Sequence, residues 1–191
     1  MGKQMIKRCA WVPEDTQYQL YHDREWGVPV YDDRILFEFL ILEGAQAGLS
    51  WQTILKKREN YRRLFDQFDA EKIASYDESR IQQLLSDPGI VRNRLKIRGT
   101  VQNARAFLQI KKEYEKFSTY IWEFTGGKPI VNTWKKMNEV PAKTEISDAM
   151  SRSLKKNGFT FVGSTICYAF MQAVGMVNDH TTDCYRYHEI A

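Results

Sequence analysis

The sequence predicts an all-α fold, and three observations carry that reading. Apolar residues recur at helical spacing in one segment after another. Side chains that cap helix N-termini and glycines that stop helices separate those segments at short intervals. No stretch shows the strict alternation of a half-buried strand, and no internal repeat is present.

In chain order, Cys9-Ala10-Trp11-Val12-Pro13 reads as an extended opening segment. Asp15 caps a short helix through Tyr18, Leu20, Tyr21 and His22 that ends near Trp26-Gly27. Val28-Pro29-Val30 connects to a second helix, capped by Asp32 or Asp33, that is apolar on nearly every side from Ile35 to Leu42. A helix apolar all round belongs in the core. Gly48 stops it, Ser50 caps the next helix and Trp51 opens it, with the helix continuing to Phe65. The Lys56-Lys57-Arg58 run within it reads as a solvated face. Asp69 and Asp77 cap two short helices, and Asp87-Pro88-Gly89 breaks the chain. A long helix is expected from about Arg92 to Tyr114, with Ile97, Val101, Ala104, Phe107, Leu108 and Ile110 as its buried stripe. A short buried helix around Tyr120, Ile121, Trp122 and Phe124 stops at Gly126-Gly127. Residues 128–143 are the least regular part. Residues 146–156 form a helix with Gly158 just past its end, and Ser164 caps a last helix that Gly175 stops. No linker divides the chain. The expectation is one domain over residues 1–191, with room for two helical lobes around a pocket and a hairpin over about 146–175.

The chain has 191 residues, 43% of them hydrophobic, and a formal net charge of +4. That charge permits nucleic-acid binding without requiring it. No apolar run is long enough to span a membrane, and no signal-peptide pattern is recognised. Three cysteines, Cys9, Cys167 and Cys184, are an odd count that argues against a disulfide framework and for a reducing cytoplasm.

Glu43 lies inside the apolar helix, followed by Gly44 and Ala45. A buried carboxylate is costly unless paired. Glu43 is therefore either a structural group bonded to an Arg or to free backbone N–H groups, or the wall of a pocket. In the second reading the small neighbours leave room for something flat. An acceptor-only group beside the Trp51 ring then suits a flat, cationic ligand that donates hydrogen bonds. The segment from Leu154 to Thr165 joins two helices through a glycine-bounded turn. It is either an ordinary αα-hairpin or, at Gly163 and Ser164, a helix N-terminus offered to a phosphate, with Lys155 and Lys156 close by.

Several blocks together carry a resemblance: Arg8-Cys9-Ala10-Trp11-Val12, Tyr21-His22-Asp23, Glu25-Trp26-Gly27-Val28-Pro29, Leu42-Glu43-Gly44 and Gln46-Ala47-Gly48-Leu49-Ser50-Trp51. Further along come Leu55-Lys56-Lys57-Arg58-Glu59-Asn60-Tyr61, Gly89-Ile90-Val91-Arg92, Phe159-Thr160-Phe161-Val162-Gly163 and Val177-Asn178-Asp179-His180. Over almost its whole length the chain resembles the bacterial 3-methyladenine DNA glycosylase I family, a divergent branch of the helix-hairpin-helix DNA glycosylases. The resemblance implies a monofunctional enzyme of base excision repair, working as a monomer on double-stranded alkylated DNA. Such an enzyme flips the damaged nucleotide out and releases free 3-methyladenine by hydrolysing its N-glycosidic bond. It matches Glu43 to the catalytic pocket carboxylate, Tyr21 to a second polar wall, Trp51 to the ring that stacks on the base and Trp11 to an aromatic near the pocket mouth. Leu49 matches a loop residue beside the position the flipped base vacates, and Gly163 and Ser164 lie in the DNA-gripping hairpin.

Two cysteines and two histidines, Cys9, His22, His180 and Cys184, suit a closed tetrahedral zinc site. On spacing alone they are equally two unrelated pairs. The resemblance makes them one structural zinc per chain that ties the chain ends together, with His188 as a reserve ligand. Asp179 stands near the position of the catalytic aspartate of other helix-hairpin-helix glycosylases. As the neighbour of a metal ligand it is expected to support that ligand instead. No lysine is nominated for Schiff-base chemistry, so strand cleavage is not expected. Two rivals remain: a non-catalytic, zinc-stapled DNA-binding module, and a broader alkyl-purine glycosylase.

Overall fold

The computed structural model describes residues 6–190, and the described residues are predominantly helical. The order is α1 (Thr16–Arg24), α2 (Asp33–Gln46), α3 (Trp51–Leu64), α4 (Ala70–Ala74), α5 (Glu78–Ser86), α6 (Arg94–Tyr114), α7 (Phe117–Trp122), α8 (Glu145–Lys156) and α9 (Ser164–Ala173). The expected caps set the boundaries: Asp15, Asp32, Ser50, Asp69 and Asp77 each accept from a backbone N–H of the first turn. Each removes one of the unpaired donors that a helix start leaves.

Helix α2 is the axis of the molecule. All of residues 36–45 are buried, and α3, α6, α7 and α9 pack around them. Two small residues let the α8–α9 hairpin dock on this axis. A Cβ at Gly44 would lie 3.2 Å from Phe161 Cβ and its carbonyl oxygen, and one at Gly99 would lie 2.8 Å from Thr160 Oγ1. The room beside Gly44 is thus filled by the hairpin, and the flat neighbour expected there from the sequence is Phe161. Asn103 of α6 clamps the same turn: its side chain accepts from the Thr160 N–H at 2.7 Å and donates to the Thr160 carbonyl at 3.0 Å. At the far end of α2, Lys96 Nζ donates to the Ala45 and Ala47 carbonyls at 2.8 and 2.6 Å. Those carbonyls end a helix and have no partners within it. Lys96 therefore fixes the loop that leads to Leu49.

Four expectations need correction. Two short strands exist, β1 (Ile130–Val131) and β2 (Val177–Asn178), paired in parallel with Ile130 opposite Val177; two residues are too few for a sequence alternation to register. The cap of α8 is Thr144, in a reciprocal pair with Ser147, so the helix starts one residue early. Gly163, not Ser164, stands at the N-cap of α9. Ser164 is the first helical residue, and its hydroxyl bonds Ser147 Oγ at 2.9 Å. Arg58 is buried, not solvated. It pairs with Glu38 and, at 2.6 Å, with Glu25, and its guanidinium lies 4.8 Å from the Phe39 ring centroid.

Candidate active site and metal centre

Helix α1 feeds two sites at once. Tyr18 and Tyr21, three residues apart, share one helical face and look into a cavity of about 290 Å³. His22, one position round, points instead to a cluster of sulfur and nitrogen atoms.

The cavity is built from separate elements that meet over the C-terminal half of α2. That helix contributes Glu43 and Gln46, and α3 contributes Trp51 from its first position. Trp11, Trp26, Met137, Ala169 and Gln172 complete the lining. The aromatics hold one another: Trp11 meets Trp26 edge-on at 4.9 Å and Tyr18 at 5.5 Å, and the Tyr21 and Trp51 rings lie 5.4 Å apart. The volume sits at the small end of ordinary ligand sites, roughly 300–1,000 Å³.

Its chemistry is set by what is left unpaired. Glu43 Oε2, Trp11 Nε1 and Trp51 Nε1 are buried without a hydrogen-bond partner among the described residues. Leaving such a group unmade costs about 1–3 kcal/mol each, so three around one cavity mark a place prepared for something else. Burial alone, with no cation at hand, pushes the Glu43 carboxyl up to about 8. Burial thus favours the protonated carboxyl, which donates as well as accepts, whereas the sequence reading had an acceptor-only group. A cation arriving in the cavity favours the ionised form. Burial, with Glu43 next, also raises Tyr21 and Tyr18, so both phenols stay neutral hydrogen-bonding walls.

The second site is buried. Cys9 Sγ, His22, His180 and Cys184 Sγ place one ligand atom each within 4.8 Å of the others. Three of the separations are 3.5 Å: Cys9 Sγ to His180 Nδ1, and Cys184 Sγ to His22 Nε2 and to His180 Nδ1. Tetrahedral bonds of 2.0–2.3 Å need ligand atoms roughly 3.3–3.8 Å apart, so the set fits a metal ion. The outer nitrogens agree. His22 Nδ1 lies 2.8 Å from Asp23 Oδ1 and His180 Nε2 lies 3.1 Å from the Trp26 carbonyl. Both partners only accept, which puts the ring protons outside and aims the lone pairs inward. The sulfurs shift in opposite directions: the hydrogen bond between them raises Cys9, helped by burial, and lowers Cys184.

The structure therefore brings Trp11, Tyr21, Glu43 and Trp51 to one cavity, and Cys9, His22, His180 and Cys184 to one cluster. Leu49, Gly163 and Ser164 line neither. Leu49 is 42% exposed just past the end of α2, and a Cβ on Gly163 would meet nothing within 4 Å. His188 is exposed outside the metal cluster. Asp179 is fully buried and accepts four hydrogen bonds. Sequence reasoning missed Tyr18, Trp26, Gln46, Met137, Ala169 and Gln172. Helical spacing could have found two of them, since Tyr18 and Gln46 stand three residues from Tyr21 and Glu43. No local signal marks Met137 or Gln172.

Comparison with known proteins gives the same pattern across the chain. The methyladenine glycosylase family matches residues 11–187. DNA-3-methyladenine glycosylase 1 of Escherichia coli K12 is 51% identical over 179 residues, covering 94% of this chain and 96% of that protein. A crystal structure of a 3-methyladenine DNA glycosylase I superposes with a TM-score of 0.92 at 51% identity, covering 94% of this chain and 98% of the other. A Staphylococcus aureus 3-methyladenine DNA glycosylase I, solved to explain 3-methyladenine recognition, superposes with a TM-score of 0.91 at 36% identity, covering 93% and 95%.

Proposed function

Since the chain belongs to the methyladenine glycosylase family, we propose that its cavity receives a 3-methyladenine flipped out of double-stranded DNA and that hydrolysis there frees the base. The observation that carries this reading is the unpaired, buried Glu43 carboxyl among aromatic rings. Methylation at N3 gives the base a positive charge, so its glycosidic bond is already weak. Water attacks C1′ of the sugar and gives up a proton to solvent, the C1′–N9 bond breaks, and the bond's electron pair stays with the base and cancels its charge. An abasic site and neutral 3-methyladenine result.

The cavity favours the cation over a normal adenine in two ways. Its charge draws the Glu43 carboxyl into the ionised form, which then takes a charge-assisted hydrogen bond. The Trp51 face, with Trp11 at the mouth, suits a flat cation, and Tyr21 offers a polar wall. Normal adenine is neutral, stays stacked and leaves poorly, so it gains little from either group. Exclusion of water strengthens each of these interactions.

The other roles belong to the same reading. The α8–α9 pair serves as the helix-hairpin-helix grip, with Gly163 and Ser164 facing the phosphate backbone and Lys155 and Lys156 exposed beside them. The exposed Leu49 fills the gap the base leaves. Zinc holds Cys9, His22, His180 and Cys184 together and supplies folding energy rather than chemistry. The working unit is a cytoplasmic monomer whose residues 1–191 form one glycosylase domain. Among the described residues no helix is long and apolar enough to cross a membrane.

The test is single-turnover excision from methylated duplex DNA, with the released base identified by chromatography. Glu43→Gln is expected to slow 3-methyladenine release by about one to three orders of magnitude, the range for losing a charged contact in an active site. Metal analysis of the same preparations should give about one zinc per chain in wild type and Glu43→Gln, and less in Cys184→Ser. Wild-type rates in Glu43→Gln would remove that residue from the chemistry. Wild-type protein that releases no 3-methyladenine would overturn the function.

A further inference from the structure

Asp179 is wholly buried and has no cation against it, yet it lacks nothing. Asn132 Nδ2 and Trp134 Nε1 each donate to Oδ1 at 2.7 Å. The Tyr168 hydroxyl and Gln172 Nε2 donate to Oδ2 at 2.7 and 2.8 Å. A carboxylate has about four acceptor positions, and all are taken. Three of the four donors lie away from the cavity, but Gln172 lines it.

This arrangement decides which way the Gln172 amide points. The two ends of a carboxamide are alike in shape, and only the hydrogen-bond network distinguishes them. Here an accepting oxygen of Asp179 faces one end, so that end must be the NH₂. A flip would set the amide oxygen against a carboxylate oxygen and leave both without a donor. The carbonyl end, Oε1, makes no hydrogen bond among the described residues. The cavity thus carries a second acceptor, on α9, whose polarity Asp179 fixes.

We propose that Gln172 accepts with its amide oxygen one of the two N–H groups of the bound base's exocyclic amino group, the other being left to Glu43, and that Asp179 is the positioning residue that locks this orientation. The proposal rests on the reading of the cavity as a 3-methyladenine site and extends it to specificity. Adenine carries an amino group at C6, which donates twice. Guanine carries a carbonyl oxygen there, which only accepts. Against a locked amide oxygen, a 3-methylguanine would bring acceptor to acceptor in a site that excludes water. Sites built on hydrogen bonds reject the wrong partner this way far better than apolar pockets do. A structural role for Asp179, tying α9 to the loop that carries Trp134, coexists with this one. It would exist equally if the fourth donor were any other residue.

The test compares binding of free 3-methyladenine and free 3-methylguanine by calorimetry, using the full zinc-loaded chain. Wild type is expected to prefer 3-methyladenine. Gln172→Met keeps the length of the side chain and removes the amide, and should narrow the ratio of the two affinities by about tenfold or more. Gln172→Ala should narrow it in the same direction, so the result does not hang on one variant's packing. Thermal melting identifies the folded variants to be compared. An unchanged ratio in a folded variant would make Gln172 a structural residue and overturn the inference while leaving the 3-methyladenine reading intact. Wild-type protein that binds neither base would overturn both.

Discussion

Two glutamates on α2, five residues apart, are both buried and yet are opposites. Glu38 sits beneath two guanidiniums. Arg58 reaches it from α3, and Arg62 Nη2 lies 2.8 Å away. Among the described residues Glu43 has no cation near it and one oxygen with no partner. The same side chain on the same helix is a closed ion-pair network at one end and an unsatisfied acid at the other. The difference teaches where stability ends and function begins. Glu38 and Arg58 complete one another, so removing either hurts the fold. Glu43 completes nothing among the described residues, and the fold carries it as a cost.

The largest expected effect is on the closed end. Arg58→Met leaves Glu38 buried with only the half-exposed Arg62, and breaking a buried pair this way should destabilise the protein by about 3–5 kcal/mol. Urea denaturation measures it, and a loss below 1 kcal/mol would erase the contrast. At the open end the sign reverses. Glu43 has its folded value raised from 4.5 to about 8, so the folded state binds the extra proton. Its contribution is fully present below the unfolded value and is lost as pH rises through the folded one. Glu43→Gln should therefore match wild type near pH 5 and gain on it as pH rises to 8. By pH 7 the advantage should be on the order of 3 kcal/mol. Denaturation at those pH values checks this, and a difference that does not change with pH would mean that Glu43 does not titrate. The smallest effect belongs to Arg62→Met, which removes the outer, partly solvated arm of the Glu38 network and should cost about 1 kcal/mol or less. A larger loss would mean that Arg62, rather than Arg58, carries Glu38.

The contrast also shows what the sequence could disclose. Asp15, Asp32, Ser50, Asp69 and Asp77 act within three residues of themselves, so the helices they start were legible. Glu43 was legible as a buried acid because its neighbours are apolar in sequence as well as in space. Its pairing was not, because whether an arginine reaches it depends on α3. The basic run Lys56-Lys57-Arg58 looked uniform and is not: its third member turns inward to Glu38. Gly44 was read as room for a ligand and is room for Phe161, from a turn more than a hundred residues on. The four metal-cluster residues were named from a resemblance, since nothing local ties Cys9 to Cys184. Gln172 was invisible for the same reason: its meaning comes from Asp179 behind it.

The metal cluster has a consequence for the order in which the molecule can come into being. A ribosome makes Cys9, Trp11, Tyr21, His22 and Trp26 early, and with them most of the aromatic wall. That wall is backed by His180, whose ring meets Trp26 edge-on at 4.6 Å, and by Cys184, which meets His22 at 3.5 Å. A nascent chain carries only two of the four cluster residues until His180 and Cys184 are made, and the cavity lacks Ala169 and Gln172 until α9 emerges. Fragments released early, or cut by a protease before the cluster closes, would lack a finished pocket. Synthesis itself leaves both the cluster and the cavity unfinished until the chain has been extended through residue 184.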